Sequence, residues 1–337
     1  MRWNPEGTDP PRKILLIQFR RIGDAVLITP ALDAVREAWP EARVHLLAED
    51  PVPELFRGDP RVQVVWRRPP RTALLRLVRR LRRERYDLVV DFQNLPLSAF
   101  LARATGGYSV GFRRRLRTPF YHRAVDLGAH RGSDYTADHK LDLLRSLGPV
   151  PSALMPRLHP PAPDPVSWEG LGNGPRIALV PVSPWAHKRW APEAFAETAR
   201  ILHRETGAVF VLAGGPGEED TLAAVSTGLG RVPHRCREFS SLSPFLSLLG
   251  GADLFLGNDS GPRHMAIALG VPTVAFFGPH DPAQWTPPRT DRHPVLWNPP
   301  AGWQPARDGL TILPPEPRRA AAAAARLLDT ADPARPL

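Results

Sequence analysis

Short apolar runs alternate with longer amphipathic stretches through most of the chain, in two series separated by a proline-rich interval. This alternation constrains the fold most, because strands joined through helices pair in parallel and need helices on both faces of the sheet. The first series predicts a strand at 13–18, a helix at 25–38, strands at 43–48 and 62–66, a helix at 72–84, a strand at 87–92 and a helix at 136–147. The second predicts strands at 176–182, 208–213, 253–257 and 273–277, with helices at 192–205, near 219–227, at 244–250 and at 261–269. Between them the periodicity lapses and Pro149, Pro151, Pro156, Pro160, Pro161, Pro163 and Pro165 make a stiff, extended composition. The expected organisation is α/β: a doubly wound, Rossmann-like domain at 1–148, a linker at 149–175, and a second such domain at 176–315. A closing helix at 317–329 and a tail complete the segment 316–337, after a patternless stretch at 281–315 rich in Pro and Trp. With 337 residues, 42% of them hydrophobic, the chain exceeds one ordinary core and can fill two.

The 44 Lys and Arg outnumber the 34 Asp and Glu, which favours anionic partners such as phosphates, nucleic acid or an acidic membrane face. Nearly all of these cations are Arg, so a coding bias accounts for the excess equally well. A single cysteine, Cys236, excludes an internal disulfide framework and a multi-cysteine metal site. Residues 1–11 have no apolar core and no later run approaches the ~20 apolar residues of a membrane span. The expectation is a cytoplasmic protein, neither exported nor integral to a membrane.

Residues 257–264, Gly-Asn-Asp-Ser-Gly-Pro-Arg-His, lie between a buried strand and a helix, where open parallel sheets bind ligands. Ser260 and Gly261 fall at the helix start, a position suited to a diphosphate, and His264 lies one turn further in. An ordinary helix cap made by Asp259 or Ser260, with His264 at the surface, fits the same residues equally well. Gly23-Asp24 holds the matching place in the first half, where a carboxylate can act as general base; alone it reads more simply as a cap. Ser183 to Trp190 follows the first strand of the second half, and its Lys188 and Arg189 are suited to a diphosphate leaving group. A solvated basic loop with Trp190 packed inward is the alternative. Glu218 and Glu219, after Gly214-Gly215-Pro216-Gly217, are placed to accept from ribose hydroxyls or simply to complete a turn. Neither a G-x-G-x-x-G fingerprint nor a G-x-x-x-x-G-K-[ST] loop occurs, and no D-x-D or metal-ligand spacing of histidines is present. No cofactor and no metal requirement are therefore expected.

Two basic stretches remain. Arg71, Arg76, Arg79, Arg80, Arg82, Arg83 and Arg85 surround an apolar stripe of Leu74, Val78 and Leu81, compatible with an anionic membrane surface or with a solvated helix face. Arg113, Arg114, Arg115 and Arg117 mix with Phe112, Phe120 and Tyr121, as a site for an acidic glycan, a lipid head group or single-stranded nucleic acid would.

Together these segments resemble the heptosyltransferases of glycosyltransferase family 9. The likeness runs through residues 14–17 and 21–32, Lys188-Arg189-Trp190, 212–216, Asn258-Asp259-Ser260-Gly261 through His264-Met265-Ala266, and 268–279. Ser183-Pro184, Met265 and Ile267 depart from the family pattern. The resemblance implies the GT-B fold, two Rossmann-like domains facing across a cleft, and inverting transfer of heptose from ADP-heptose to a hydroxyl of the lipopolysaccharide inner core. It implies Asp24 as the base, Lys188 beside the diphosphate, and Asp259, Ser260, Gly261 and His264 holding the sugar nucleotide. Ser183 then falls near the phosphates and Glu218 or Glu219 near the nucleoside. The basic character of the first half, with Arg21, Arg113, Arg114 and Arg115, argues for an anionic glycolipid acceptor, met at the cytoplasmic face of the inner membrane. The alternatives are another nucleotide sugar on the same fold and, outside catalysis, a basic nucleic-acid-binding protein; on the leading reading no nucleic acid is bound.

Overall fold

The computed structural model describes residues 3–7, 9–129, 133–148, 150, 155–159, 162, 165–288, 291–299 and 315–330. The chain divides into two compact units, Met1–His159 and Pro160–Leu337. Pro156 and Pro165 of the expected linker are described; Pro149, Pro151, Pro160, Pro161 and Pro163 lie outside the described residues, as does 300–314 of the patternless stretch.

In the first unit β1 (Lys13–Ile17), β2 (Arg43–Ala48), β3 (Val64–Arg67), β4 (Leu88–Asp91), β5 (Tyr108–Phe112) and β6 (Arg123–Val125) form one sheet in the order β3-β2-β1-β4-β5-β6. Every pairing is parallel. The chain winds outward from β1 to β3, then returns to the far side of β1 with β4, so the winding reverses between β1 and β4. Ile14, Leu15, Leu16 and Ile17 are inaccessible to solvent, as expected of a central strand covered on both faces.

The helices of this unit are α1 (Ile22–Val26), α2 (Thr29–Ala38), α3 (Leu74–Arg83), α4 (Pro96–Ala104) and α5 (Thr136–Arg145). The single helix expected at 25–38 is broken in two. Pro30 lies in the first turn of α2, where its missing N–H costs nothing, and Thr29 Oγ1 donates to Val26 O at 2.7 Å across the break. The sequence pattern missed α4, β5 and β6. β6 has three residues, and β5 carries Gly111 because the Tyr121 ring lies against it: a Cβ there would sit 2.3 Å from the ring. The described end of the proline-rich interval is built into this unit. Leu158 is buried, Arg157 N–H donates to Thr29 Oγ1 at 3.0 Å, and the Arg157 guanidinium meets Asp33 at 2.7 Å.

The second unit repeats the plan with β7 (Arg176–Val180), β8 (Val209–Gly214), β9 (His234–Glu238), β10 (Leu254–Asn258), β11 (Thr273–Phe276) and β12 (Val295–Leu296). Their order, β12-β11-β10-β7-β8-β9, reverses between β7 and β10 just as the first sheet reverses between β1 and β4. The helices are α6 (Pro192–Thr206), α7 (Glu219–Leu229), α8 (Leu242–Gly250), α9 (Gly261–Ala268) and α10 (Pro317–Asp329). α10 packs on α6 through Ala320, Ala321 and Ala324, whose small side chains permit close approach. No described helix is long and apolar enough to cross a membrane.

Candidate functional site

In open parallel sheets ligands bind beyond the carboxyl ends of the strands where the winding reverses. In the second unit the segments after β7 and β10 occupy that place. Asn258, the last residue of β10, is fully buried; its Nδ2 donates to Pro181 O at 2.8 Å and its Oδ1 accepts the Trp190 N–H at 3.0 Å. It thereby ties the end of β10 to the segment following β7. Asp259, 2% exposed, turns to the Lys188 ammonium at 2.6 Å. Lys188 closes a single 3₁₀ turn, Ala186–Lys188, and its Nζ lies 5.9 Å from the centre of the Trp285 ring.

Ser260 starts α9 with extended backbone angles, but its side chain does not cap the helix; its Oγ donates back to Asn258 O at 3.2 Å. With Asp259 turned to Lys188, the start of α9 has no side-chain cap and is open to an anion. His264 is buried rather than at the surface, its ring 6.0 Å from Trp285. Arg263, also fully buried, donates through Nη1 to Trp285 O and through Nη2 to Thr286 Oγ1, each at 2.9 Å, and so fixes the tryptophan beside Lys188 and His264.

Ser183 is buried, and its Oγ accepts the Trp185 N–H at 3.3 Å. Arg189 Nε donates to Ser183 O at 2.6 Å, so Arg189 holds its own turn together, while Trp190 packs against Phe195 and Phe276. Glu218 and Glu219 lie one strand further out, beyond β8. Glu218 Oε2 accepts the Gly215 N–H at 2.8 Å and Glu219 Oε1 the Gly217 N–H at 3.0 Å, so each carboxylate already closes part of the glycine-rich turn. Among the described residues, Trp285 Nε1 and His280 Nδ1 are buried without a hydrogen-bond partner. Burial, then the neighbouring Lys188 charge, lowers the His280 pKa below the usual histidine value.

In the first unit Asp24 follows β1 on α1. Its Oδ2 accepts the Arg21 N–H at 3.4 Å, and its Oδ1 lies 3.8 Å from Lys140 Nζ, which α5 brings in. Asp91 ends β4, fully buried. Its Oδ2 accepts from Tyr121 OH at 2.7 Å and its Oδ1 from the Gln93 and Asn94 N–H groups, both at 3.0 Å. Burial pushes its pKa up to about 6 against these stabilising bonds.

A family model, "Glycosyltransferase family 9 (heptosyltransferase)", matches residues 74–314. The chain belongs to glycosyltransferase family 9. It is 26% identical over 297 residues to lipopolysaccharide heptosyltransferase 1 of Pseudomonas aeruginosa, covering 80% of this chain and 79% of that protein. It is 25% identical over 296 residues to an Escherichia coli lipopolysaccharide heptosyltransferase 3, covering 79% and 83%. Two solved structures share its fold. A family 9 glycosyl transferase from Veillonella parvula matches with TM-score 0.84 at 22% identity over 95% of this chain and 98% of that one. The ADP-heptose lipopolysaccharide heptosyltransferase II of E. coli matches with TM-score 0.76 at 22% identity, covering 94% and 98%. Two doubly wound α/β units are the makeup of the GT-B class, and the chain is a glycosyltransferase.

In this family 9 glycosyltransferase the residues singled out in the sequence fall into four groups, of which Glu218 and Glu219, beyond β8, are one. Ser183, Lys188, Asp259, Ser260, Gly261 and His264 come from the segments after the adjacent strands β7 and β10, and Asp24 follows β1 at the corresponding point of the other sheet. Arg21, Arg113, Arg114 and Arg115 are exposed, with Arg113 held by Asp126 at 2.9 Å. The aromatics between the arginines turn inward: Phe120 and Tyr121 pack into the core beside Leu77 and Leu81, so they offer no stacking platform. Sequence reading missed Lys140, Asp91, Gln18, Gln93, His280 and Trp285. For Lys140 a signal existed, since Lys13, Lys140 and Lys188 are the only lysines in an arginine-rich chain. Among the described residues no group of three or more His, Cys, Asp and Glu side chains is arranged to hold a metal ion.

Proposed function

We propose that this family 9 glycosyltransferase transfers heptose from ADP-heptose, with inversion, to a hydroxyl of the lipopolysaccharide inner core at the cytoplasmic face of the inner membrane. The observation that carries the reading is the Lys188–Asp259 pair, 2.6 Å apart with Asp259 buried, beside a helix start without a side-chain cap. The relatives named above supply the sugar and the acceptor class. In this reading Asp24 takes the proton of the acceptor hydroxyl as its oxygen bonds to the anomeric carbon. The bond from that carbon to the diphosphate oxygen breaks, and ADP leaves with the electron pair. Lys188 and the first N–H groups of α9 offset the charge that grows on the diphosphate. Asp259, Ser260, Gly261 and His264 hold the sugar nucleotide, Ser183 stands at the phosphates, and Glu218 or Glu219 meets the nucleoside. Arg21, Arg113, Arg114 and Arg115 attract the anionic acceptor, and no divalent ion takes part.

The test is a thermal-shift panel of ADP-heptose, ADP, UDP and GDP, joined to turnover of two variants. ADP and ADP-heptose raise the melting temperature most, because a ligand that binds only the folded state stabilises it by mass action. Lys188→Ala loses most of that shift. Asp24→Asn keeps the shift and loses turnover by about a hundredfold or more. A larger shift with UDP or GDP overturns the donor, and wild-type turnover by Asp24→Asn overturns the base.

A further inference from the structure

The core-facing side of α5 carries Ala137, Lys140, Leu141 and Leu144, all buried. Packing alone would be served by Leu or Met at position 140. A buried ammonium is tolerated only where acceptors and opposite charges compensate it. Lys140 has three such neighbours. Its Nζ donates to Gln18 Oε1 at 3.1 Å, Asp24 Oδ1 stands 3.8 Å away, and Asp91 adds a third, through-space attraction.

The amide of Gln18 is oriented by its other bonds. Its Nε2 donates to Arg20 O at 2.8 Å and to Gln93 Oε1 at 3.0 Å, and Gln93 Oε1 also accepts the Arg20 N–H at 2.9 Å. Reversing the amide would set oxygen against two oxygens and nitrogen against an ammonium, so Gln18 Oε1 must face Lys140. The lysine head is therefore pinned. Asp91 already has both oxygens engaged by Tyr121 OH and by backbone N–H groups, which leaves Asp24 as the carboxylate free to answer the charge. The side chain of Lys140 is 9% exposed and that of Asp24 36%, so the lysine approaches from within the protein and leaves the outer side of the carboxylate open.

We propose that Lys140 is the positioning residue of the transfer reaction, anchoring the Asp24 carboxylate through a pinned ammonium so that its open side meets the acceptor hydroxyl. The inference rests on the reading of Asp24 as the base. At 3.8 Å the two groups attract without a short hydrogen bond, so the carboxylate is oriented while keeping a lone pair for the incoming proton. Burial lowers the Lys140 pKa below the usual lysine value, and Asp24 and Asp91 draw it partly back, so the charge of the lysine depends on the carboxylates facing it. Asp24 on α1, Asp91 on β4 and Tyr121 bonded to Asp91 are the titratable groups of this network.

The test compares Lys140→Met, Lys140→Arg and Asp24→Asn in the full-length enzyme with ADP-heptose and an inner-core lipopolysaccharide acceptor. Lys140→Met lowers kcat by about a hundredfold and leaves the donor KM within about twofold. Its melting temperature and its shift with ADP stay at wild-type values, since an apolar chain of similar length fills the slot. Lys140→Arg, which keeps the cation, restores kcat to within about tenfold of wild type. If Lys140→Met keeps wild-type kcat while Asp24→Asn is inactive, the role of Lys140 is overturned and the base stands. Lower activity of Lys140→Met with a reduced melting temperature, not recovered by Lys140→Arg, also overturns the role. If Asp24→Asn turns over normally, the base assignment falls and this inference with it.

Discussion

Each residue of the segment Asn258-Asp259-Ser260-Gly261 has its own task. The amide of Asn258 joins two strand ends, Asp259 pairs with Lys188, and Ser260 bonds backward and leaves the helix uncapped. From sequence alone the segment reads as a cap as readily as a binding turn, because its partners lie about 70 residues earlier in the chain and only the fold brings them together. Separation in sequence likewise hid Lys140 from Asp24 and Tyr121 from Asp91. Asp91 carries a pH signature. Its pKa rises from 3.8 in the unfolded chain to about 6 in the folded protein, so between those values the folded state holds the extra proton. Stability then falls as pH rises through this window, by about 3 kcal/mol in total, and is flat above it. Asp91→Asn removes this dependence. Denaturant unfolding of both proteins between pH 4 and 7 should show wild type losing stability relative to the variant; parallel curves would contradict the buried, protonated carboxyl.

At the scale of elements, regular apolar runs were legible. β2 and α10 fall where the pattern places them, and β1, α5 to α8 and β10 differ from expectation by a few terminal residues. What escaped were pieces whose partners supply the order. β9 reads His-Arg-Cys-Arg-Glu and is a strand because β8 offers it a parallel edge. β6 has three residues, and α4 opens on a proline that looks like a loop in isolation. Register also decides where a side chain is forbidden. Gly257 of β10 pairs with Val180 of β7, and a Cβ on it would lie 2.5 Å from Val180 O. Gly257→Ala must spread the two central strands on which Asn258 and Asp259 depend. The expected cost is about 1–3 kcal/mol of stability, with a smaller thermal shift from ADP; unchanged values in both measurements would show that the strands accommodate the methyl group.

For the whole molecule, the two series of alternating strands and helices were plain in the sequence, and the structure divides between His159 and Pro160, inside the proline-rich interval. The strand order was not legible, because alternation specifies parallel neighbours without saying which strand lies centrally. Both units carry a complete six-stranded sheet. If the donor roles belong to the second unit, a fragment covering 160–337 gains melting temperature with ADP and one covering 1–159 does not. A response confined to the first fragment would reverse the assignment. Among the described residues, neither sheet takes a strand from the other half of the chain. A genetic crossover falling between codons 159 and 160 therefore cuts no ladder, and a recombinant inherits one six-stranded unit from each parent with both sheets whole.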